Sequence, residues 1–299
     1  NPNILGFYIV MDTLVKALAH QGAIRIIVCD TTETVRHAAH VHQSYPTSTA
    51  ALGRTLSVAA LMGSMLKDEE AKILIQIDGK GPLGSIVVDV NSKCEVRGFV
   101  GNPEILLINE ETHKLDVGKA VGNKGLLRVT QDLKLKEKFT GTVELQTGEI
   151  AEDFAYYFTV SEQTPSALSL GVLVDENNEV VSAGGLLIQM MPFASEADIM
   201  IAEDVIKHIK PISTMIQEGM TPMMIVEALF QDVTILSQQE VSFKCDCSKE
   251  RMFEALRTLK VSDLVEMIEE DHGAELNCHF CNTNYRFSED ELRSMIRAS

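Results

Sequence analysis

Four cysteines near the C-terminal end, Cys245-Asp-Cys247 and Cys278-His-Phe-Cys281, constrain this chain more than any other feature. Two close pairs of soft ligands, brought together by folding, suit tetrahedral zinc. Four thiolates complete that coordination sphere and leave no position for water or substrate, so the metal is expected to be structural or sensory rather than hydrolytic. The stretch from Cys245 to Ser299 is too short to build much core, and modules of that size depend on a metal or on disulfides. Structural zinc contributes about 10–16 kcal/mol in small peptides, against about 5–15 kcal/mol net for a whole domain, so this segment is expected to fold only with its metal. Zinc also keeps sulfur as thiolate, the form oxidants attack, and Cys278 and Cys281 are near enough in sequence to close a disulfide once one of them becomes a sulfenic acid. Cysteine spacing does not separate such a redox switch from an inert structural site.

The rest of the 299-residue chain has a composition that permits a real core, with 45% apolar residues. Lys and Arg number 26 against 43 Asp and Glu, a net charge of −17 that repels phosphate backbones and anionic membranes. From Cys245 onward the acidic residues number 12 and the basic residues 7, the reverse of a nucleic-acid-binding zinc ribbon. Cys29 and Cys94 have no partner motif and read as small buried apolar residues. No basic and apolar leader opens the chain, which reads as cytoplasmic with its thiols reduced. Residues 1–10 precede Met11, which looks like a natural start, and are expected to be foreign to the natural chain.

Residues 11–192 carry mainly strand signals. Ile73–Ile77, Ser85–Val90 and Glu95–Val100 are β-branched runs separated by turn residues and predict an antiparallel meander. Leu168–Val174 and Glu179–Met190 flank an Asp175-Glu-Asn-Asn178 turn and predict a hairpin, with a helix over Ala151–Val160 before it. Ala50–Leu66 is apolar around every helical face, is interrupted by Arg54, and is too short in its uncharged part to span a bilayer. It is expected to be a buried helix surrounded by sheets, giving an α+β core. From 193 to 240 the period becomes helical: Ile199, Ile201, Val205, Ile206 and Ile209 are read as one stripe, and Pro211, Gly219 and Pro222 cut the segment into short, marginal helices. Seven of the thirteen methionines fall between Met190 and Met224, as core filler or as an adaptable interface. In the last segment, 241–299, Ser248 is read as the cap of a helix over Lys249–Leu259 whose Met252, Phe253, Leu256 and Leu259 share a face. Ser262 is read as the cap of a second helix, Asn284–Phe287 as a strand, and Ser288-Glu-Asp-Glu291 as a capping box.

Several motifs have plain structural readings. Gly79-Lys-Gly81-Pro-Leu-Gly84 has dinucleotide-loop spacing, but a Pro sits inside it and a strand follows where a phosphate site needs a helix N-terminus, so a tight turn is expected. Gly118–Lys124 lacks the Gly-Lys-Ser/Thr ending of a Walker loop, so nothing indicates nucleotide use. His37, His40 and His42 do not share one helical face and are read as a solvated one. His279 is read as a neighbour of the four sulfurs rather than a ligand. A thioredoxin-type role for Cys278 and Cys281 would place the pair at a helix N-terminus, whereas an aromatic strand follows it here.

These cysteine pairs and their gap, together with Ala51-Leu-Gly-Arg-Thr-Leu56, Ser161-Glu-Gln-Thr-Pro165, Gly184-Gly-Leu-Leu-Ile-Gln-Met-Met-Pro192 and Glu270-Asp-His-Gly-Ala-Glu275, resemble the heat-shock protein 33 family over nearly the whole chain from Met11. The resemblance implies a core over 11–192, a metastable helical linker over 193–240 and a zinc redox-switch domain over 241–299. It further implies one zinc per reduced chain on Cys245, Cys247, Cys278 and Cys281, and inactivity in that state. Oxidation would pair Cys278 with Cys281 and Cys245 with Cys247, release zinc and unfold the linker. A homodimer would then hold unfolding proteins without ATP and without enzymatic turnover. The other readings are a zinc-stabilised adaptor indifferent to oxidant and a thiol-disulfide oxidoreductase.

Overall fold

The computed structural model of the chain describes residues 11–297; the expectation for residues 1–10 lies outside them. The chain divides into two compact units, one running to Lys244 and the other over Cys245–Ser299.

The first unit is built around one helix. Strands β1 (Thr13–Ala19) and β2 (Ile24–Asp30) lead to helices α1 (Thr32–His42) and α2 (Pro46–Gly63). Every residue of α2 except Arg54 is buried. Its small side chains let neighbours approach closely: a Cβ on Gly53 would stand 2.7 Å from Val35 Cγ1 and 2.8 Å from Val172 Cγ2. Arg54 reaches the edge of this apolar surround and binds Glu149 at 2.6 Å.

Two mainly antiparallel sheets cover α2. Strands β3 (Lys72–Asp78), β4 (Ile86–Asn91) and β5 (Glu95–Val100), the short helix α3 (Val117–Val121), and strands β6 (Leu126–Asp132) and β7 (Phe139–Glu144) follow in order. Then come helix α4 (Ala151–Val160), strands β8 (Ser166–Val174) and β9 (Val180–Met190), and helices α5 (Glu196–His208), α6 (Ile212–Gln217) and α7 (Pro222–Leu229). Strands β10 (Thr234–Glu240) and β11 (Ser242–Phe243) end the unit. One sheet runs β10-β1-β2-β9-β8 and the other β11-β5-β4-β3-β6-β7. The strands of the second sheet alternate buried and half-buried residues, as the meander pattern predicts. Strand β2 reads Ile-Arg-Ile-Ile-Val-Cys because both its faces are covered: Ile27 and Cys29 join the core around α2, while Ile24, Ile26 and Val28 join a second core beneath α5–α7.

Three local expectations differ from the structure in whole or in part. The helical reading of 193–240 holds through α7, but Thr234–Glu240 is a strand, because β1 offers an open edge whose main-chain pairing outweighs local propensity. The stripe on α5 is not one face: Ala202, Val205 and Ile209 pack on the sheet, whereas Ile199, Ile201 and Ile206 are exposed. Met190, Met215, Met220 and Met223 fill the second core, and Met200 and Met224 are exposed. The Gly79–Gly84 segment holds the expected tight turn, in which the Gly84 N–H donates to the Gly81 carbonyl at 3.1 Å. It is held by backbone packing so close that a Cβ on Gly79 would fall 2.1 Å from the Gly122 carbonyl, and β4 follows it where a nucleotide loop needs a helix. His37 and His40 of α1 are exposed, as read, with the His37 ring 5.0 Å from that of Phe243, whereas His42 is half-buried with Nε2 2.9 Å from the Gly98 carbonyl.

Candidate metal centre

The second unit comprises α8 (Lys249–Leu256), α9 (Val261–Glu270), the hairpin β12 (Gly273–Asn277) and β13 (Asn284–Ser288), and α10 (Glu289–Arg297). Ser248 caps α8 by accepting the Arg251 N–H, and Ser288 and Glu291 form the expected capping box. Helix α8 stops at Leu256, leaving Leu259 exposed, and α9 starts at Val261, so Ser262 lies inside it and bonds Asp263 instead of capping. Leu256, Leu264, Ile268, Phe287, Leu292 and Met295 form a small core.

The hairpin supplies half of the cysteine cluster. Asn277 pairs with Asn284, and the six-residue loop between them turns back through Asn282, whose left-handed φ of 57° lets its N–H reach the Cys278 carbonyl at 2.7 Å. Cys281 donates its N–H to the same carbonyl at 3.2 Å, so both loop sulfurs are set by main-chain bonds. Cys245 and Cys247 come from the extended segment before α8. Among the described residues, these four are the group able to hold a metal ion, with all ligand atoms within 4.8 Å of one another. Cys245 Sγ lies 3.7 Å from Cys278 Sγ, and Cys247 Sγ lies 3.2 Å from Cys281 Sγ. Zinc with sulfur at ordinary bond lengths needs sulfur–sulfur edges of about 3.8 Å, so the donor set fits the metal in number, type and spacing.

The surroundings distinguish the four sulfurs. Burial, opposed by the Tyr285 hydroxyl 3.1 Å away, pushes the Cys247 thiol up to about 12. Burial also raises Cys278. At Cys281 burial acts the same way but is outweighed by hydrogen bonds from Thr283, Cys247 and Cys245, which hold that thiol down to about 7. A thiolate is therefore easiest to form at the exposed end of the hairpin loop. Tyr285 and Thr283, whose hydroxyl is 3.3 Å from Cys281 Sγ, are functional neighbours that motif reading does not single out. The only sequence signal was the aromatic alternation of Tyr285 with Phe287. His279 is exposed and outside the sulfur group. The loop position of Cys278 and Cys281, between two strands, differs from the helix N-terminus that disulfide exchange uses.

Cys29 and Cys94 are fully buried against α2, with Sγ 3.7 Å from the Ser57 carbonyl and 3.3 Å from the Ala60 carbonyl. Burial raises the Cys29 thiol far above its usual range and pushes Cys94 up to about 11, so neither resembles a reactive thiol. Among the described residues, no helix is long and apolar enough to cross a membrane.

The family model described as Hsp33 protein matches residues 12–288. The chain belongs to the Hsp33 family. Its relatives include the 33 kDa chaperonin of Geobacillus sp. (strain WCH70), 45% identical over 95% of this chain and 97% of that protein. The 33 kDa chaperonin of Enterococcus faecalis is 46% identical over 94% of this chain and 95% of its own length. The crystal structure of the Thermotoga maritima 33 kDa chaperonin, a heat shock protein 33 homologue, superposes with a TM-score of 0.88 at 36% identity, covering 96% of this chain and 98% of the other. This Hsp33 chain is accordingly a chaperone rather than an enzyme, with the mixed α+β fold of that structure and a four-cysteine cluster able to take a metal.

Proposed function

We propose that the chain is a redox-regulated, ATP-independent holdase, inactive while reduced and zinc-bound and active once its four clustered cysteines are oxidised. The observation that carries this reading is the cluster itself: four cysteine sulfurs within 4.8 Å, drawn from two separate stretches of a small unit. A bound zinc would hold these sulfurs as thiolates and tie the Cys245–Cys247 segment to the hairpin loop. Peroxide oxidises one thiolate of the Cys278 and Cys281 pair to a sulfenic acid, releasing hydroxide, which takes up a proton from solvent as the first water. The partner thiol displaces the second water and closes the disulfide, so two electrons pass to each peroxide. Cys245 and Cys247 pair in the same way with a second peroxide. Disulfide sulfurs are poor ligands, so the two stretches part.

The consequence passes along the chain. Cys245 follows β11 after Lys244, so freeing it removes one tether from the C-terminal side of the linker over 193–240. The short helices α6 and α7 are marginal alone and lie on the apolar face formed by Val15, Ala17, Ile26, Val28, Leu186 and Ile188. Their departure exposes that face to unfolding proteins, which bind by burying apolar surface. The activated form is a homodimer in the cytoplasm, kept soluble by its negative charge.

The test is light scattering from a heat-denaturing client with reduced and with peroxide-treated protein, without ATP, alongside zinc and thiol counts and circular dichroism. Protection should appear only after oxidation, with one zinc lost per chain and a loss of helix. Equal protection by both forms, or protection gained with helix intact, refutes the switch. Disulfide mapping that finds Cys247 joined to Cys281 refutes the pairing.

A further inference from the structure

Residues 234–243 close one edge of each sheet. Strand β10 pairs antiparallel with β1 from Thr13 opposite Glu240 to Leu18 opposite Thr234, and β11 pairs parallel with β5 at Ser242 opposite Glu95 and Phe243 opposite Val96. Between them Val241 donates its N–H to the Asp12 carbonyl at 3.0 Å, and Ser242 donates to the Cys94 carbonyl at 3.3 Å. Strand β10 adds little side-chain packing: Ile235 is 38% and Leu236 49% exposed, and only Ser237 and Gln239 are half-buried. Its ladder to β1 is also broken by a bulge at Lys16 and Ala17. An edge held mainly by main-chain bonds accepts any strand that can make the same bonds.

We propose that the β1 edge is a docking strip for extended segments of unfolded polypeptide, which add to the five-stranded sheet in the place that β10 vacates. The occupant is a strand with every second side chain apolar. Val15 and Ala17 of β1 share a face with Ile26, Val28, Leu186 and Ile188, the face that α5–α7 cover. A strand beside β1 would lay one row of its side chains along that face while its backbone takes over the bonds of β10. The β5 edge, covered by only two residues of β11, extends the same offer to a second stretch of polypeptide. The proposal rests on the reading that oxidation frees the linker over 193–240, but it adds a specific mode of capture to it.

The first arm is hydrogen exchange of the oxidised protein with and without reduced, carboxymethylated α-lactalbumin, a permanently unfolded client. The β1 amides that face β10, those of Leu14 and Lys16, should lose protection on oxidation and slow again by about tenfold or more when the client binds, because hydrogen-bonded amides exchange only through opening. Client bound while the β1 amides remain fast overturns the proposal and leaves the redox switch intact. The second arm uses reduced, zinc-loaded protein and a labelled synthetic peptide with the sequence of residues 234–243. The bond from Val241 to Asp12 fixes the alternation, so the amides of Ser237 and Gln239 point at β1 and that of Gln238 points away. Ser237→Pro should therefore open the edge and bind the peptide, and Gln238→Pro should not. Binding to both variants alike, or to neither, overturns the edge mechanism. An oxidised protein that binds no client refutes the switch alone, and the Ser237→Pro arm still decides the edge.

Discussion

Truncating Ile225 to alanine should make the reduced, zinc-loaded protein an active chaperone. Ile225 is fully buried on α7, where it belongs to the core shared by β1, β2 and β9. Removing most of a fully buried isoleucine costs about 2–5 kcal/mol. Helix α7 has eight residues, fewer than an isolated helix needs for stability in water, so the loss falls on its docking to the sheet rather than on a separately stable helix. A cost of that size shifts the docking equilibrium by roughly 30-fold to several thousandfold. The core around α2 does not include Ile225 and should keep its thermal transition. The assay is aggregation suppression by the reduced variant, with zinc and thiol counts to show that the cysteine cluster is intact, and hydrogen exchange over 212–229 to show that the linker has opened. Open linker amides without any protection of the client would refute the claim that linker release exposes the binding face. Protection with a closed linker would refute it equally.

Three further outcomes are expected. Tyr285→Phe removes the hydroxyl 3.1 Å from Cys247 Sγ and should weaken zinc retention by about 10–100-fold in chelator competition, the usual cost of losing a bond to a ligand atom; unchanged retention would show that the hydroxyl does not tune the site. Replacing Cys29 and Cys94 together with serine should leave zinc content and peroxide-driven zinc loss unchanged while costing stability through two buried hydroxyls; failure to lose zinc in a folded double variant would refute the four-cysteine switch. Burial raises Asp12 from 3.8 to about 6, so its proton is held more tightly in the folded state, and the stability this confers, about 3 kcal/mol, is present below about pH 4 and lost as pH rises through 6. Asp12→Asn should flatten this part of the pH profile in denaturant titrations, and an unaltered profile would show that Asp12 titrates normally.

What could be read from sequence depended on how far each element's neighbours are implied by its own residues. Helix α2 was legible because a helix apolar on all sides has to be enclosed, and β3–β5 because alternation reports a half-buried sheet. The four cysteines were legible because ligand chemistry is carried by residue type. Strand β10 was not: its sequence, Thr-Ile-Leu-Ser-Gln-Gln-Glu, has no strand alternation, and only the free edge of β1, contributed from the far end of the unit, makes it a strand. Strand β12 was missed for a similar reason, since its five residues gain their conformation from β13 across the loop. Tyr285 was assigned to a strand, but the direction of its hydroxyl depends on where Cys247 arrives from another segment.

The pairing of Ile24 in β2 with Met190 in β9 has a consequence for biosynthesis. The central partnership of the five-stranded sheet cannot form until β9 has emerged from the ribosome, long after β2. Contacts spanning such a distance along the chain carry a large loop-closure cost and fold slowly. Until then β2, apolar on both faces, has its neighbour β1 but neither β9 nor the helices α5–α7 that cover one of its faces, so the nascent chaperone is itself an aggregation-prone client for most of its synthesis. The linker follows β9 directly, and its helices can dock only on a sheet that has just been completed. In the order of synthesis the core is therefore finished before its cover, and the cysteines that would govern the cover come last of all.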